Sequence, residues 1–198
     1  MRRATLLAVT AAAGLTLLPA TAAAQNSRFA GISGGATSSD MRGGVTNTNS
    51  RWGGTAGLFV GYRSWRMVGV LEANWVQKGG KDAVGDGSTR IDYIEVPFLI
   101  GGASEAGGFL IRFYTGIGVG FPIGCNSTST DPQQNCDLKK SPQWTWPFGL
   151  ILGRSLGDGR TFMAVDARYS IALGDTFEGA FMQNYTWSFK LMVGRSFF

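Results

Sequence analysis

From residue 27 onward the chain alternates large apolar residues with small or polar ones, in eight blocks separated by turn-forming clusters. The blocks run roughly over 27–37, 52–63, 66–78, 89–101, 109–121, 142–154, 161–173 and 184–198. In the last block Tyr185, Trp187, Phe189, Leu191, Val193 and Phe197 share one side, opposite Thr186, Ser188, Lys190, Gly194 and Ser196. In 109–121, Phe109, Ile111, Phe113, Ile117 and Val119 oppose Arg112, Tyr114, Gly116, Gly118 and Gly120. The pattern predicts eight strands, each long enough to cross a membrane at a tilt.

The connections alternate in length. "RSW", "GASEAGG" and "SLGDG" are short, whereas "TSSDMRGGVTNTNSR", "GGKDAVGDGS", "CNSTSTDPQQNCDLKKSP" and "GDTFEGAFMQ" are longer and polar. Alternation alone fits a soluble ligand-binding barrel as well as a membrane barrel. Three features favour the membrane. Glycines gather on the polar face, as a narrow interior requires. The apolar face carries more large rings than the inside of an eight-strand barrel can hold. Trp52, Trp75, Trp144, Trp146 and Trp187 fall at the long-loop end of their strands, as an interfacial girdle would. The expected fold is therefore all-β: an eight-stranded antiparallel up-and-down transmembrane barrel with its short turns in the periplasm. A closed barrel has no edge, so the last strand is expected to pair with the first.

The start of the chain reads differently. Arg2 and Arg3 precede an apolar stretch from Leu6 to Leu18, and Ala22-Ala23-Ala24 forms a small-residue cleavage site. This predicts a secretory signal peptide over 1–24 and a barrel domain over 25–198. Export to an oxidising compartment in turn predicts a disulfide between Cys125 and Cys136, which bracket the longest loop.

Several stretches carry a family resemblance: "LEANWVQKGG", "IDYIEVPFLIGG", "IRFYTGIGVGFPIG", "MAVDARYSIALGD" and the final "MVGRSFF". Together they resemble the PorT-like, or outer membrane protein beta-barrel, family of small exported barrels. The pieces that carry most of the likeness are Tyr93-Ile94-Glu95-Val96-Pro97 and Arg168-Tyr169-Ser170-Ile171-Ala172-Leu173. The resemblance implies a barrel in the outer membrane and does not imply an activity. A terminal phenylalanine is also similar to the signal read by barrel-assembly machinery, an expected partner during biogenesis. Here the apolar phase falls on Phe197 rather than Phe198.

The chain contains no histidine, which removes Ser-His and Cys-His nucleophiles and the commonest metal ligand. No catalytic residue, cofactor or metal is expected. The alternation places Glu72, Glu95, Arg112, Asp166, Arg168 and Lys190 inside. Glu72 and Glu95 on neighbouring strands would suit an acid–base pair. The favoured alternative is a neutral ion-pair network filling the lumen, because buried charges must be paired.

Basic residues exceed acidic ones by 18 to 13. Outside the signal segment the excess maps to the short-turn rim, where Arg28, Arg63, Arg66, Arg154, Arg160 and Arg195 face only Glu105 and Asp158. Lys78 is assigned to the long-loop side. A ring of arginines at a bilayer surface suits phospholipid headgroups and disfavours nucleic acid. The expected function is a non-enzymatic outer-membrane barrel: an envelope anchor, an integrity factor or a docking platform for an unknown envelope protein. A soluble exported binding barrel and accessory service to a secretion system are the alternatives.

Overall fold

The computed structural model describes residues 26–43, 48–83, 85–129, 136, 142–157, 159–176 and 182–197. The expected signal peptide, Phe198 and Asp158 lie outside these residues. Eight strands are present: β1 (Ser27–Arg42), β2 (Asn49–Ser64), β3 (Met67–Lys81), β4 (Ser88–Ala106), β5 (Phe109–Ser127), β6 (Gln143–Leu156), β7 (Thr161–Ala172) and β8 (Gln183–Phe197). They form a closed antiparallel barrel in sequence order. The β1–β8 seam is paired from Arg28↔Phe197 to Arg42↔Gln183, so closure satisfies the backbone groups that an open edge would leave in hydrocarbon.

Register sets the shape. Paired residues can be followed once around the wall, from Arg28 through Tyr62, Gly69, Ile100, Thr115, Phe148, Tyr169 and Trp187. The path returns to β1 at Ser38, ten residues farther on. That stagger ties strand tilt to strand number and leaves a lumen only as wide as its side chains can fill.

All eight expected strands exist, and most run past their expected ends on the long-loop side. At the other end the hairpins are tight. Gly107 and Gly108 alone link β4 to β5, with φ of 59° and 80°; positive φ at both central positions suits the twist of the flanking strands.

The outer wall is apolar. Ile32, Leu58, Phe98, Phe113, Val165 and Leu191 all stand exposed on it. Trp52, Trp146 and Trp187 ring the long-loop side, while Trp65, Phe109 and Phe197 stand at the short-turn side. Trp187 and Phe197 are ten residues apart on β8, and a tilted strand covers about 25 Å of membrane normal over that length. So large a continuous apolar belt does not suit a soluble monomer. The soluble-barrel alternative therefore falls.

Not every large ring faces outward, however. Phe29, Phe59 and Phe162 point inward and are buried. Their centroids lie 6.0–6.3 Å from one another. Each ring is paired across the sheet with a glycine: Phe29 with Gly61, Phe59 with Gly31, and Phe162 with Gly194. A Cβ on Gly61 would stand 2.2 Å from the Phe29 ring, on Gly31 2.4 Å from Phe59, and on Gly194 2.5 Å from Phe162. Val68, Val70, Leu99, Ile151 and Met192 complete this apolar seal in the short-turn half of the lumen.

Near the long loops the sheet bends. The β2–β3 register shifts between Ser50 and Thr55. Two β1 side chains reach across β2 to carbonyls of β3: Thr37 Oγ1 donates to Gln77 O at 2.7 Å, and Ser39 Oγ donates to Gly79 O at 2.9 Å. Gly53 makes the crossing possible, since a Cβ there would sit 2.8 Å from Thr37 Oγ1. Closer to the outer end Met41, Ile91, Tyr93 and Met182 form a second buried apolar cluster, with Cys125 packed against it.

Gly61→Ala tests the ring-on-glycine packing. Overpacking of this kind costs about 1–3 kcal/mol, read as a lower urea midpoint of the barrel folded in vesicles. Gly69→Ala, whose added Cβ meets nothing within 4 Å, should change stability by about 0.5 kcal/mol or less. Equal effects of the two substitutions would show that the rings do not depend on the glycines.

Candidate functional site

Between the two apolar clusters lies a charged layer. It is built from inward positions of four strands, because the pleat sends every second side chain into the lumen. β3 supplies Glu72 and Asn74, β5 supplies Tyr114, β7 supplies Asp166 and Arg168, and β8 supplies Lys190. All of these side chains are buried.

Arg168 holds the layer together. Its Nη1 and Nη2 donate to Glu72 Oε2 and Oε1 at 2.9 and 2.7 Å, a bidentate fork. Nη2 also donates to Asp166 Oδ2 at 2.8 Å, and Nε donates to the Tyr114 hydroxyl at 2.9 Å. Tyr114 in turn donates to Asp166 Oδ1. Lys190 Nζ donates to Glu72 Oε2 at 2.9 Å and lies 3.3 Å from Asp166 Oδ2. Asn74 Nδ2 donates to Glu72 Oε2 at 2.8 Å. Two carboxylates thus meet two cations, with neutral donors filling the remaining lone pairs. This is the condition under which buried charge is tolerated.

Of the six charges expected inside, Glu72, Asp166, Arg168 and Lys190 come together in this layer. Glu95 does not. It pairs with Lys78, which is buried in the lumen and also lies 5.4 Å from the Tyr93 ring centroid. Lys78 therefore moves from the long-loop side to the interior. β3 continues to Lys81, so Lys78 keeps the inward phase of Glu72, Asn74 and Val76. Extending that alternation one step further would have found it. Glu72 and Glu95 are held by different cations, which leaves no shared acid–base pair.

Arg112 also departs from expectation. It is buried but forms no ion pair among the described residues; its guanidinium lies 4.5 Å from the Phe29 ring centroid and 5.6 Å from that of Phe162. Among the described residues, the inward strand positions between the two mouths thus hold Lys78, Arg112, Arg168 and Lys190 against Glu72, Glu95 and Asp166.

The expected rim arginines divide. Arg28, Arg154 and Arg195 keep the outward phase of Ile32, Leu152 and Val193, and Arg154 lies 5.4 Å from the Phe109 ring centroid. Arg66 and Arg160 stand in turns, Arg66 against Trp65 at 5.2 Å. Arg63 instead keeps the inward phase of Phe59 and Gly61 and binds Glu105.

At the outer end Cys125 and Cys136 form a disulfide with a Cα–Cα distance of 5.7 Å. Gln143 Nε2 and Asn184 Nδ2 both donate to Thr176 Oγ1 at 3.0 Å, stitching β6 and β8 to the segment after β7.

The family described as "Outer membrane protein beta-barrel domain" matches residues 9–197. No curated protein matches the chain. Among solved structures, the chain is similar to outer membrane protein W of E. coli, with 14% identity, 89% of this chain and 100% of that one covered, and a TM-score of 0.49. It is also similar to neisserial surface protein A, with 10% identity, coverage of 83% and 96%, and a TM-score of 0.48. A third structure is Ail, the attachment invasion locus protein of Yersinia pestis, in complex with the heparin analogue sucrose octasulfate; identity is 15%, coverage 86% and 99%, and the TM-score 0.44.

Glu72 is the hub on which the charged layer can be tested. Glu72→Gln leaves Arg168 and Lys190 facing one carboxylate and should cost about 3–5 kcal/mol in urea titrations of the vesicle-folded barrel. Glu72→Gln with Lys190→Met restores the balance and should recover part of that loss. A double variant no more stable than the single one would mean that charge balance is not what the layer supplies.

Proposed function

Because the chain belongs to the outer membrane protein beta-barrel family, we propose that it is a non-enzymatic barrel acting at its surfaces, as an envelope anchor, integrity factor or docking platform for an envelope protein. The observation that carries this reading is the filling of the lumen. Charged side chains bonded to one another occupy its middle, and apolar clusters lie on either side. A solute would have to pass both seals and break buried ion pairs, so the interior serves as a plug rather than a path. Catalysis is disfavoured for the same reason: the carboxylates are already engaged by cations.

The surfaces are what remain. Strands that run beyond the apolar belt, the second apolar cluster and the disulfide fix the ends of the long loops, a rigid base for a docking partner. The rim arginines suit lipid. Arg28, Arg154 and Arg195 stand on the lipid side near the inner interface, where a basic residue contributes about 1 kcal/mol against an anionic surface. Barrel-assembly machinery is the partner this reading requires during biogenesis. A narrower PorT-like role, accessory service to a secretion system, would add a specific envelope partner that co-purifies with the barrel.

Refolded protein added to planar bilayers should leave them electrically silent. Large, stable single-channel conductance would refute the plug. For the rim, changing Arg28, Arg66, Arg154 and Arg195 together to glutamine should lower folding yield into bilayers containing anionic lipid more than into neutral ones. Equal yields in both would remove lipid contact as their role.

A further inference from the structure

Among the described residues, the inner mouth of the lumen carries more positive charge than it neutralises. Arg63 near the end of β2 binds Glu105 of β4, and Ser155 Oγ of β6 donates to the other oxygen of that carboxylate at 3.1 Å. Arg112 on β5 is paired in register with Ala103, one inward step deeper on β4 than Glu105. Two guanidinium groups therefore stand around one carboxylate. The second is not compensated from the interior: Glu72 and Asp166 are taken by Arg168 and Lys190, and Glu95 by Lys78. Arg112 is only 5% exposed, yet its Nε has no hydrogen-bond partner among the described residues. Stacking on Phe29 and Phe162 stabilises the cation without supplying an acceptor. A buried guanidinium with an idle donor is a strong demand for an oxyanion.

We propose that the inner mouth is an oxyanion site. Arg63, Arg112 and Ser155 bind one phosphate or carboxylate group presented from the periplasmic side, and Glu105 fills the site as an internal competitor. Glu105 is suited to yield. Its side chain is 33% exposed and sits at the end of β4, where leaving returns it to water. Its departure frees Arg63 Nη1 and the Ser155 hydroxyl, and the incoming oxyanion neutralises Arg112 as well. Neither the plug nor the arginines on the lipid face requires this site, so it stands apart from the reading above.

The test uses the refolded chain in a maltoside detergent, which carries no phosphate. The Nε–Hε resonance of Arg112 is followed while sodium phosphate is added against sodium chloride at matched ionic strength and pH. A saturable, phosphate-specific shift is expected. It should tighten at least threefold in Glu105→Gln, which removes the competitor, and weaken at least threefold in Arg63→Gln. Titration with phosphatidylglycerol in the same detergent separates the sources: whichever probe saturates at lower concentration, headgroup or free anion, identifies the natural presentation. Phosphate and chloride responses that coincide in both the wild type and Glu105→Gln overturn the proposal. So does a phosphate response that neither variant changes.

Discussion

Backbone N–H and C=O groups surrounded by hydrocarbon have no water to bond, and a sheet placed there must close on itself. In this protein closure is the β1–β8 seam, paired from Arg28↔Phe197 to Arg42↔Gln183. Once eight strands close with a ten-residue stagger, the lumen has a fixed and narrow width. Everything inside must then fit that width and satisfy its own polarity. Gly31, Gly61 and Gly194 give up their side-chain volume so that three phenylalanines can lie across the lumen. Arg168, with a flat fork and donors on three sides, joins three strands in one plane. The outer wall has the opposite freedom, since lipid accommodates any apolar shape.

The order of layers matters as much as their content. Ion pairs exposed at a mouth would be screened by water and weak. Held between two apolar clusters, the Glu72–Arg168–Asp166–Lys190 layer is shielded from that screening, so each broken contact leaves a charge with nowhere to turn. Arg112 belongs to the inner cluster and not to this layer, which is why its charge is carried by aromatic faces. The same burial that rigidifies the centre leaves one cation at the mouth in search of an anion.

Period-two alternation made the strands, their order and their faces legible, because one face meets lipid and the other a crowded interior. The Cys125–Cys136 bridge was equally legible from export and loop spacing. Strand ends were not. Beyond the apolar belt the outward residues turn polar, as at Asp40, Arg42 and Arg90, and the pattern fades although the ladder continues. That fading hid the inward position of Lys78. The inward rings were hidden for another reason. Phe29, Phe59 and Phe162 fit only because the residue across the sheet is a glycine in each case, and that depends on register, which a single strand does not encode. Arg112 was placed inside but counted in an ion-pair network that it does not join among the described residues, since alternation reports a face and not a height.

With a lumen filled in this way, the proposed function falls to the parts that meet other molecules. The wall is committed to lipid by its belt of exposed rings. The short turns are two- to four-residue hairpins, too small to form a broad surface, and offer charge instead. On the opposite side the strands continue past the belt, Thr37 and Ser39 brace the bend in the sheet, and Met41, Ile91, Tyr93 and Met182 pack beneath the disulfide. An apolar cluster at this height does nothing to hold the protein in a bilayer. It fixes the separation and direction of the loop ends, which is what a docking surface needs if its loops are to bind without losing much conformational freedom.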